Sequence, residues 1–509
     1  MSQIREQGRG EDGQAILIVV LAMSIFLLGA VGLAVDGAHL YSQRQMAQTA
    51  ADGAAQAGIM SIFDGTNGAG TAAFSTAGAF TCGTTDAKTP CVYAKNNGFG
   101  GSVSDTVTID FPPDTAAPGV AFAPSYPVHL IRASVQRNVS TTLMRMLGST
   151  TTTVKTTAMA AIIDVFSPVP IIVTHPTISP SKPTRSPFYM NGNPTVQICG
   201  GPPKSIQVNS TDAAAAGAAG AGTAATLDLR RAGPNDDGKC NTGTGADIGV
   251  YGGPATSPFT FLGGTKPGKY LQPASPILDP LRNVTPPNPA TLPTPPAHSL
   301  LGNGVSGCPA STLKACQLYS PGLYPTGING DNSTPIFKPG IYYIQNGGMI
   351  CKNNCSMYMA TGFTDGVSGT NTGWNGTKLA GGMMVYNTGS GAFDLGANGS
   401  INLVGSLPSS SYKGILFFQD RTAAAQTHSL GGGGSLSLVG TIYLTNTLAL
   451  MKASASQYQA LTIQGNAGNT TLIDGEIIVG TLELGGGGTI QMDLNPFSSL
   501  IISQVALVN

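Results

Sequence analysis

The sequence predicts a mainly β protein with an N-terminal transmembrane α-helix, a small α/β domain and then a right-handed parallel β-helix. Three observations carry this prediction. Residues 15–35 contain no charge, the chain from Pro339 onward repeats short apolar strands set behind glycine, and the whole composition is small and weakly charged. Of 509 residues, 69 are Gly and 35 are Pro, while Lys+Arg and Asp+Glu are balanced at 25 each. Such a balance leaves no basic face for phosphate, so nucleic acid is not an expected partner. With a single Trp, the core must be built from Val, Ile, Leu and Ala.

The helical part comes first. An α-helix over Ala15–Val35 is about 30 Å long, the thickness of the hydrocarbon layer. It is longer than the apolar run of a signal peptide; a cleaved leader ending near Gly32-Leu33-Ala34 is the alternative. Arg5 and Arg9 precede the span and only Arg44 follows closely, which places a tail of residues 1–14 in the cytoplasm. The helix continues through residues 36–60 as an amphipathic extension. There Leu40, Ala47, Ala50, Ala51, Ala54, Ala57 and Gly58 recur at helical spacing, a stripe offered to other helices. Within and just beyond the span, Ala30, Ala34 and Ala38 form a small-xxx-small row of the kind that lets helices approach closely; a monomeric anchor with chance small residues is the other reading.

Order and spacing in this region resemble a known family. Gly13-Gln14-Ala15, the apolar run, Gly32-Leu33-Ala34-Val35-Asp36-Gly37, Tyr41, Arg44, Gln48 and Ala50-Ala51-Asp52-Gly53-Ala54-Ala55 are similar to the N-terminal region of TadG-like proteins of Tad (Flp) pilus assembly. The resemblance implies a single-pass protein of the bacterial inner membrane, its bulk periplasmic or extracellular, with Tad pilus-assembly components as partners. Two departures limit it. Ile18 stands where type IV-like prepilins carry Glu, and Asp331-Asn-Ser333-Thr-Pro335 fails the metal motif of the longer members.

Residues 61–164 read as the small α/β domain. Val107, Ile109 and Phe111 alternate with polar residues before Pro112-Pro113; Val128–Val139 and Thr150–Ile163 are longer strands, with a short helix over Thr141–Leu147 between them. Residues 165–194 and 265–300 read as proline-rich linkers, 195–264 as a Gly/Ala-rich β segment, and 301–509 as the β-helix-like domain. In that last domain Gly340, Gly382, Gly414 and Gly440 each precede an apolar strand, Ser400–Gly405 recurs as Ser435–Gly440, and Gly431–Gly434 recurs as Gly485–Gly488. Stacked turns suit this pattern; a β-sandwich is the alternative.

Eight cysteines, none in the first 81 residues, fit an oxidising compartment. Nearest-neighbour disulfides pair Cys82/Cys91, Cys199/Cys240, Cys308/Cys316 and Cys351/Cys355, although the spacing leaves other connectivities open. No catalytic, cofactor or metal site is expected. Asp474 and Glu476, the Asp420-Arg421 pair and the scattered His39, His129, His175, His298 and His428 form no set that general acid–base chemistry requires. Asp420-Arg421 reads as an ion pair at a turn end, and Trp374 as a loop residue. Three function classes stay open: an anchored structural or adhesive pilus-system protein, with surface polysaccharide the target an adhesive role implies; a membrane-tethered β-helix polysaccharide lyase or hydrolase; and a surface protein unrelated to pili.

Overall fold

The computed structural model describes residues 11–508, excepting 101, 103, 125, 143, 167–168, 176–185, 200–203, 220–224, 232–243, 263–267, 302–313, 361–381, 397, 407–410, 413, 425, 446–459, 467, 469–470 and 494–500. The chain is mainly β, with one long apolar helix at its N-terminal end. It divides into two units, Met1–Val165 with Ser503–Asn509, and Phe166–Ile502.

The first unit is built on helix α1, Glu11–Phe63. Its C-terminal half lies on an antiparallel sheet formed by β1 (Phe80–Thr81), β2 (Asp105–Asp110), β3 (Leu130–Ser140), β4 (Thr151–Phe166) and the C-terminal strand Ile501–Val508. Alternation decides the faces. Val107, Ile109, Ile131, Ala133 and Val135 are buried with Ala47, Ala50, Ala51, Ala54, Ala55 and Ile59 of α1. The alanine stripe is thus consumed inside the chain rather than offered to other helices. Small side chains bring the helix axis close to the sheet and to helix α2, Thr89–Asn96. At Gly58 a Cβ would lie 2.5 Å from Ile131 Cδ1 and 3.3 Å from Pro90 Cβ. Where the sequence reads a helix over Thr141–Leu147, only the 3₁₀ turn Met144–Leu147 forms, at the tip of the β3–β4 hairpin.

The second unit is a coil of three sheets, parallel except for the antiparallel edge strand Ser299–Leu301, in which each sheet takes every third strand over long runs of the chain. One sheet carries Gly340–Ile344, Met383–Asn387, Ile415–Gln419 and Thr441–Leu444 in succession, the strands of the glycine-led repeat. Ser400–Gly405 and Ser435–Gly440 also stack in register, with Ile401 opposite Leu436 and Val404 opposite Val439. Gly340 departs by one position, since it pairs with Met383. The glycine runs sit at corners where neighbouring turns touch. A Cβ on Gly432 or Gly434 would overlap the carbonyls of Gly396 or Gly399 in the turn below, so only glycine fits.

Two spans read as linkers are part of this coil. Ile171–Val173 and Phe188–Gly192 lie within 165–194, yet they pair in parallel with Ile477–Val479 and Leu482–Gly486. Thr195–Cys199 likewise pairs with Thr489–Asp493. The first turn of the unit therefore stacks on its last turn, and the strands of 195–264 continue the same sheets instead of forming a separate segment. The prolines of 165–194 do not prevent this, because they flank the short strands. In the second span, Tyr270–Leu271 is the edge strand of the ten-stranded sheet and Ser299–Leu301 joins the eleven-stranded one, while residues 272–298 between them are fastened to the ten-stranded sheet from outside. Asn209 exchanges two hydrogen bonds with the Ile277 backbone at 2.6 and 3.0 Å. Further along, Tyr443 donates to Asp279 at 2.6 Å, Arg421 donates to the carbonyls of Leu281 and Val284, and Leu323 N–H donates to Pro293 O at 2.9 Å. Proline supplies no N–H, and these partners come from the sheet beneath, so an irregular strap is stable there.

Candidate functional site

The anchor helix is the most distinctive surface. Among the described side chains from Ile16 to Val35, the large apolar ones are exposed, and the run meets the length and hydropathy of a membrane span. Its one side-chain bond to the backbone among the described residues, Ser24 Oγ donating to Val20 O at 2.7 Å, stays within the helix, so the run can keep its backbone hydrogen bonds internal as a membrane span requires. Ala30, Ala34 and Ala38 all lie exposed and are open to a partner. Just past the span, Asp36 is 1% exposed. Its carboxylate accepts from Thr142 N–H at 2.9 Å and Met144 N–H at 2.7 Å, which ties the hairpin tip to the helix.

A second tie lies farther along α1. Arg137 reaches Asp105 at 2.6 and 2.7 Å and Gln43 at 3.4 Å, also donates to Gly98 O, and lies over the Phe99 ring at 3.9 Å. Burial raises the Asp105 pKa, but the Arg137 bonds and charge outweigh it, and the carboxyl stays below its ordinary value. On the face of the sheet opposite α1, Thr106, Thr108, Asp110, Arg132, Ser134, Gln136, Lys155 and Thr157 line an open groove of about 660 Å³. Asp110 and Arg132 pair at 2.6 Å, so the groove is hydroxyl- and amide-lined with its charges largely matched.

The coil brings no reactive set together among the described residues. Asp474 and Glu476 are buried. Asp474 closes the strand Thr471–Asp474 and Glu476 opens onto Ile477–Val479, so the two belong to different sheets. Asp420 and Arg421 do not pair with each other. Asp420 accepts from the Tyr386 hydroxyl and from Thr422 N–H, while Arg421 turns to the strap and to Tyr443 at 2.8 Å. Asp331 accepts from Lys352 N–H, Asn353 N–H and the Asn353 amide at 2.7–3.0 Å, holding a turn corner. His428 is buried against Phe393, whose N–H donates to its Nδ1 at 3.0 Å; burial pushes the imidazole down to about 3. Burial likewise pushes His175 down to about 4, against the pull of Asp212. No group of three His, Cys, Asp or Glu among the described residues is arranged to hold a metal.

Cys82–Cys91 and Cys351–Cys355 are disulfides. Cys316 is disulfide-bonded; Cys240, Cys308 and the side chain of Cys199 lie outside the described residues, as do Arg5, Arg9 and Trp374. Sequence reasoning missed the role of Asp36, whose signal was an acid one residue past an uncharged run. It also missed the strap contacts of Arg421, for which no local signal exists.

Residues 13–73 match the family of Flp pilus-assembly TadE/G-like domains, Tad. The N-terminal region is therefore similar to the TadE/G-like domains of Flp pilus assembly. No curated protein and no solved structure matches the chain at significant similarity.

Proposed function

We propose that the protein is a non-catalytic, membrane-anchored structural or adhesive component of a Tad (Flp)-type pilus assembly system. In this reading α1 crosses the inner membrane with its N-terminus in the cytoplasm, and the second unit, a right-handed parallel β-helix, stands on the outer side as a contact surface. One observation carries it: the TadE/G-like match at 13–73 falls on the helix whose apolar half is exposed. Supporting it, the bridged Cys82 and Cys91 follow the span and need an oxidising compartment. Tad components bind the helix, and surface polysaccharide is the ligand class for the adhesive role.

Two measurements test the proposal. A periplasm-dependent reporter enzyme fused after residue 165 is active; an inactive fusion, with a cytosol-dependent reporter active at the same point, overturns the topology. Loss of the protein from a Tad-piliated cell abolishes piliation or attachment, and the purified full chain leaves surface polysaccharide uncleaved. Cleavage would install the hydrolase or lyase reading instead.

A further inference from the structure

Among the described residues from Ile16 to His39, only Gly32 and Asp36 are buried. They are four apart, hence on one face of the helix. The 3₁₀ turn Met144–Leu147 is in contact with α1. Asp36 fixes it there through Thr142 N–H and Met144 N–H at 2.9 and 2.7 Å, and the hairpin closes behind it through Thr141 N–H to Thr150 O at 3.2 Å. Asp36 is the first residue after the uncharged run, so it marks the hydrocarbon boundary. Gly32 lies about 6 Å nearer the bilayer centre along the helix. A turn held at Asp36 therefore sits at headgroup level, in a layer several ångströms deep.

The residues of the turn suit that layer. Its sequence is Met-Arg-Met-Leu; Arg145 is exposed and Met144 half-buried. An exposed arginine beside Met144 can place its guanidinium among lipid phosphates while the methionine reaches the acyl boundary. The turn is in contact with α1, whose large apolar residues on the N-terminal side of Asp36 are exposed.

We propose that the β3–β4 hairpin tip is a second membrane contact, in which the Met144–Leu147 turn lies in the phospholipid headgroup layer with Arg145 on lipid phosphate. This rests on the reading of α1 as a span, and the test separates the two. The full chain, carrying Trp374→Phe as background, is reconstituted in vesicles of phosphatidylcholine and phosphatidylglycerol. Met144→Trp then gives blue-shifted emission that is quenched by lipids brominated near the glycerol end of the acyl chain. Leu21→Trp, the control for the span, is quenched by lipids brominated deeper. A nitroxide on Arg145→Cys provides a second readout, with low access to a water-borne relaxant and higher access once Asp36→Ala releases the turn. Unquenched, water-like emission from Met144→Trp beside a quenched Leu21→Trp overturns the proposal and leaves the span intact. Blue-shifted emission without bromine quenching overturns it too, because the turn would then be covered by another copy of the chain. If both tryptophans are unquenched, the span reading falls along with the proposal.

Discussion

The two units solve the burial of a sheet in opposite ways. In the first, β2 alternates buried Val107 and Ile109 with the less buried Thr106, Thr108 and Asp110. One face packs on α1 and the other meets solvent, the usual state of an antiparallel sheet. In the second, Met383–Asn387 and Ile415–Gln419 are buried at every position. Their inner side chains fill the coil. Outside, the rings of Tyr343, Tyr386, Phe418 and Tyr443 touch in sequence, tilted at the first contact and edge-to-face at the next two, with centroids 4.9–5.1 Å apart, and the strap residues Asp279, Leu281 and Val284 bond to Arg421 and Tyr443 along this ladder. The contrast shows that a parallel sheet in this protein depends on covers that are remote in sequence, whereas the antiparallel sheet depends on the helix beside it.

The sharpest way to break that contrast is to remove the remote partner. Deleting residues 471–493 takes away the strands on which Ile171–Val173, Phe188–Gly192 and Thr195–Cys199 dock. We expect the second unit to lose its fold altogether, with residues 166–300 becoming protease-sensitive and the β signal in circular dichroism falling, while α1 still inserts. If 171–271 stayed resistant to protease, the early turns would be self-sufficient and the comparison would fail.

How much was legible follows the same division. The long apolar helix, the strands after it and the glycine-led turns could all be read, because each is a local pattern of charge, alternation or glycine spacing. Ser400–Gly405 and Ser435–Gly440 announced their pairing by near-identity. What could not be read depends on long separations. Ile171 meeting Ile477 leaves no mark in either segment, and the prolines of 165–194 and 265–300 look like any linker until their partners are known. Asp36 falls between these cases. Its position was visible, but its partners at 142 and 144 lie more than one hundred residues away. Helix α2 was missed because its eight residues are too few to set up an apolar period.

The next largest effect should come from acid. His428 has its pKa pushed down to about 3 in the folded coil, against about 6.5 in the unfolded chain. The folded state resists a proton that the unfolded state accepts. Stability is complete above pH about 6.5 and is lost as pH falls toward 3, by about 4–5 kcal/mol at the lower end. His175, pushed to about 4, adds in the same direction. Urea unfolding of the second unit between pH 7 and 4 should show the fall. His428→Asn, which keeps an acceptor for Phe393 N–H, should flatten it, and an unchanged slope would mean the histidine is not the cause.

A smaller effect probes the strap. Arg421 donates to the Leu281 and Val284 carbonyls and to Tyr443, and lies over the Phe418 and Tyr443 rings. Replacing it with alanine leaves those acceptors without their charged donor, a loss of about 2–3 kcal/mol. Amide exchange should rise at Leu281 and Val284, and the first unit should keep its own exchange pattern. An equal rise in both units would show that the strap does not serve the coil alone.

The smallest effect compares the two disulfides. Cys82–Cys91 closes a separation of 9 residues and Cys351–Cys355 one of 4. Loop-closure entropy alone gives about 2.5 and about 2 kcal/mol, a difference too small to decide the outcome. Surroundings should widen it. Cys82–Cys91 joins the end of β1 to the first turn of α2, where β1 pairs with β2 at only Phe80 and Thr81 and the other ties are Cys82 N–H to Val107 O at 2.8 Å and the partly exposed Lys88–Asp86 and Lys95–Thr84 contacts. The Cys351–Cys355 corner is fastened independently. Asp331 accepts from Lys352 and Asn353 at 2.7–3.0 Å, and Met349–Cys351 pairs with strands on both sides. The double replacement Cys82→Ser with Cys91→Ser should therefore lower the urea midpoint of its unit more than Cys351→Ser with Cys355→Ser lowers that of the coil. Equal or reversed shifts would mean that turn stacking does not substitute for the covalent link.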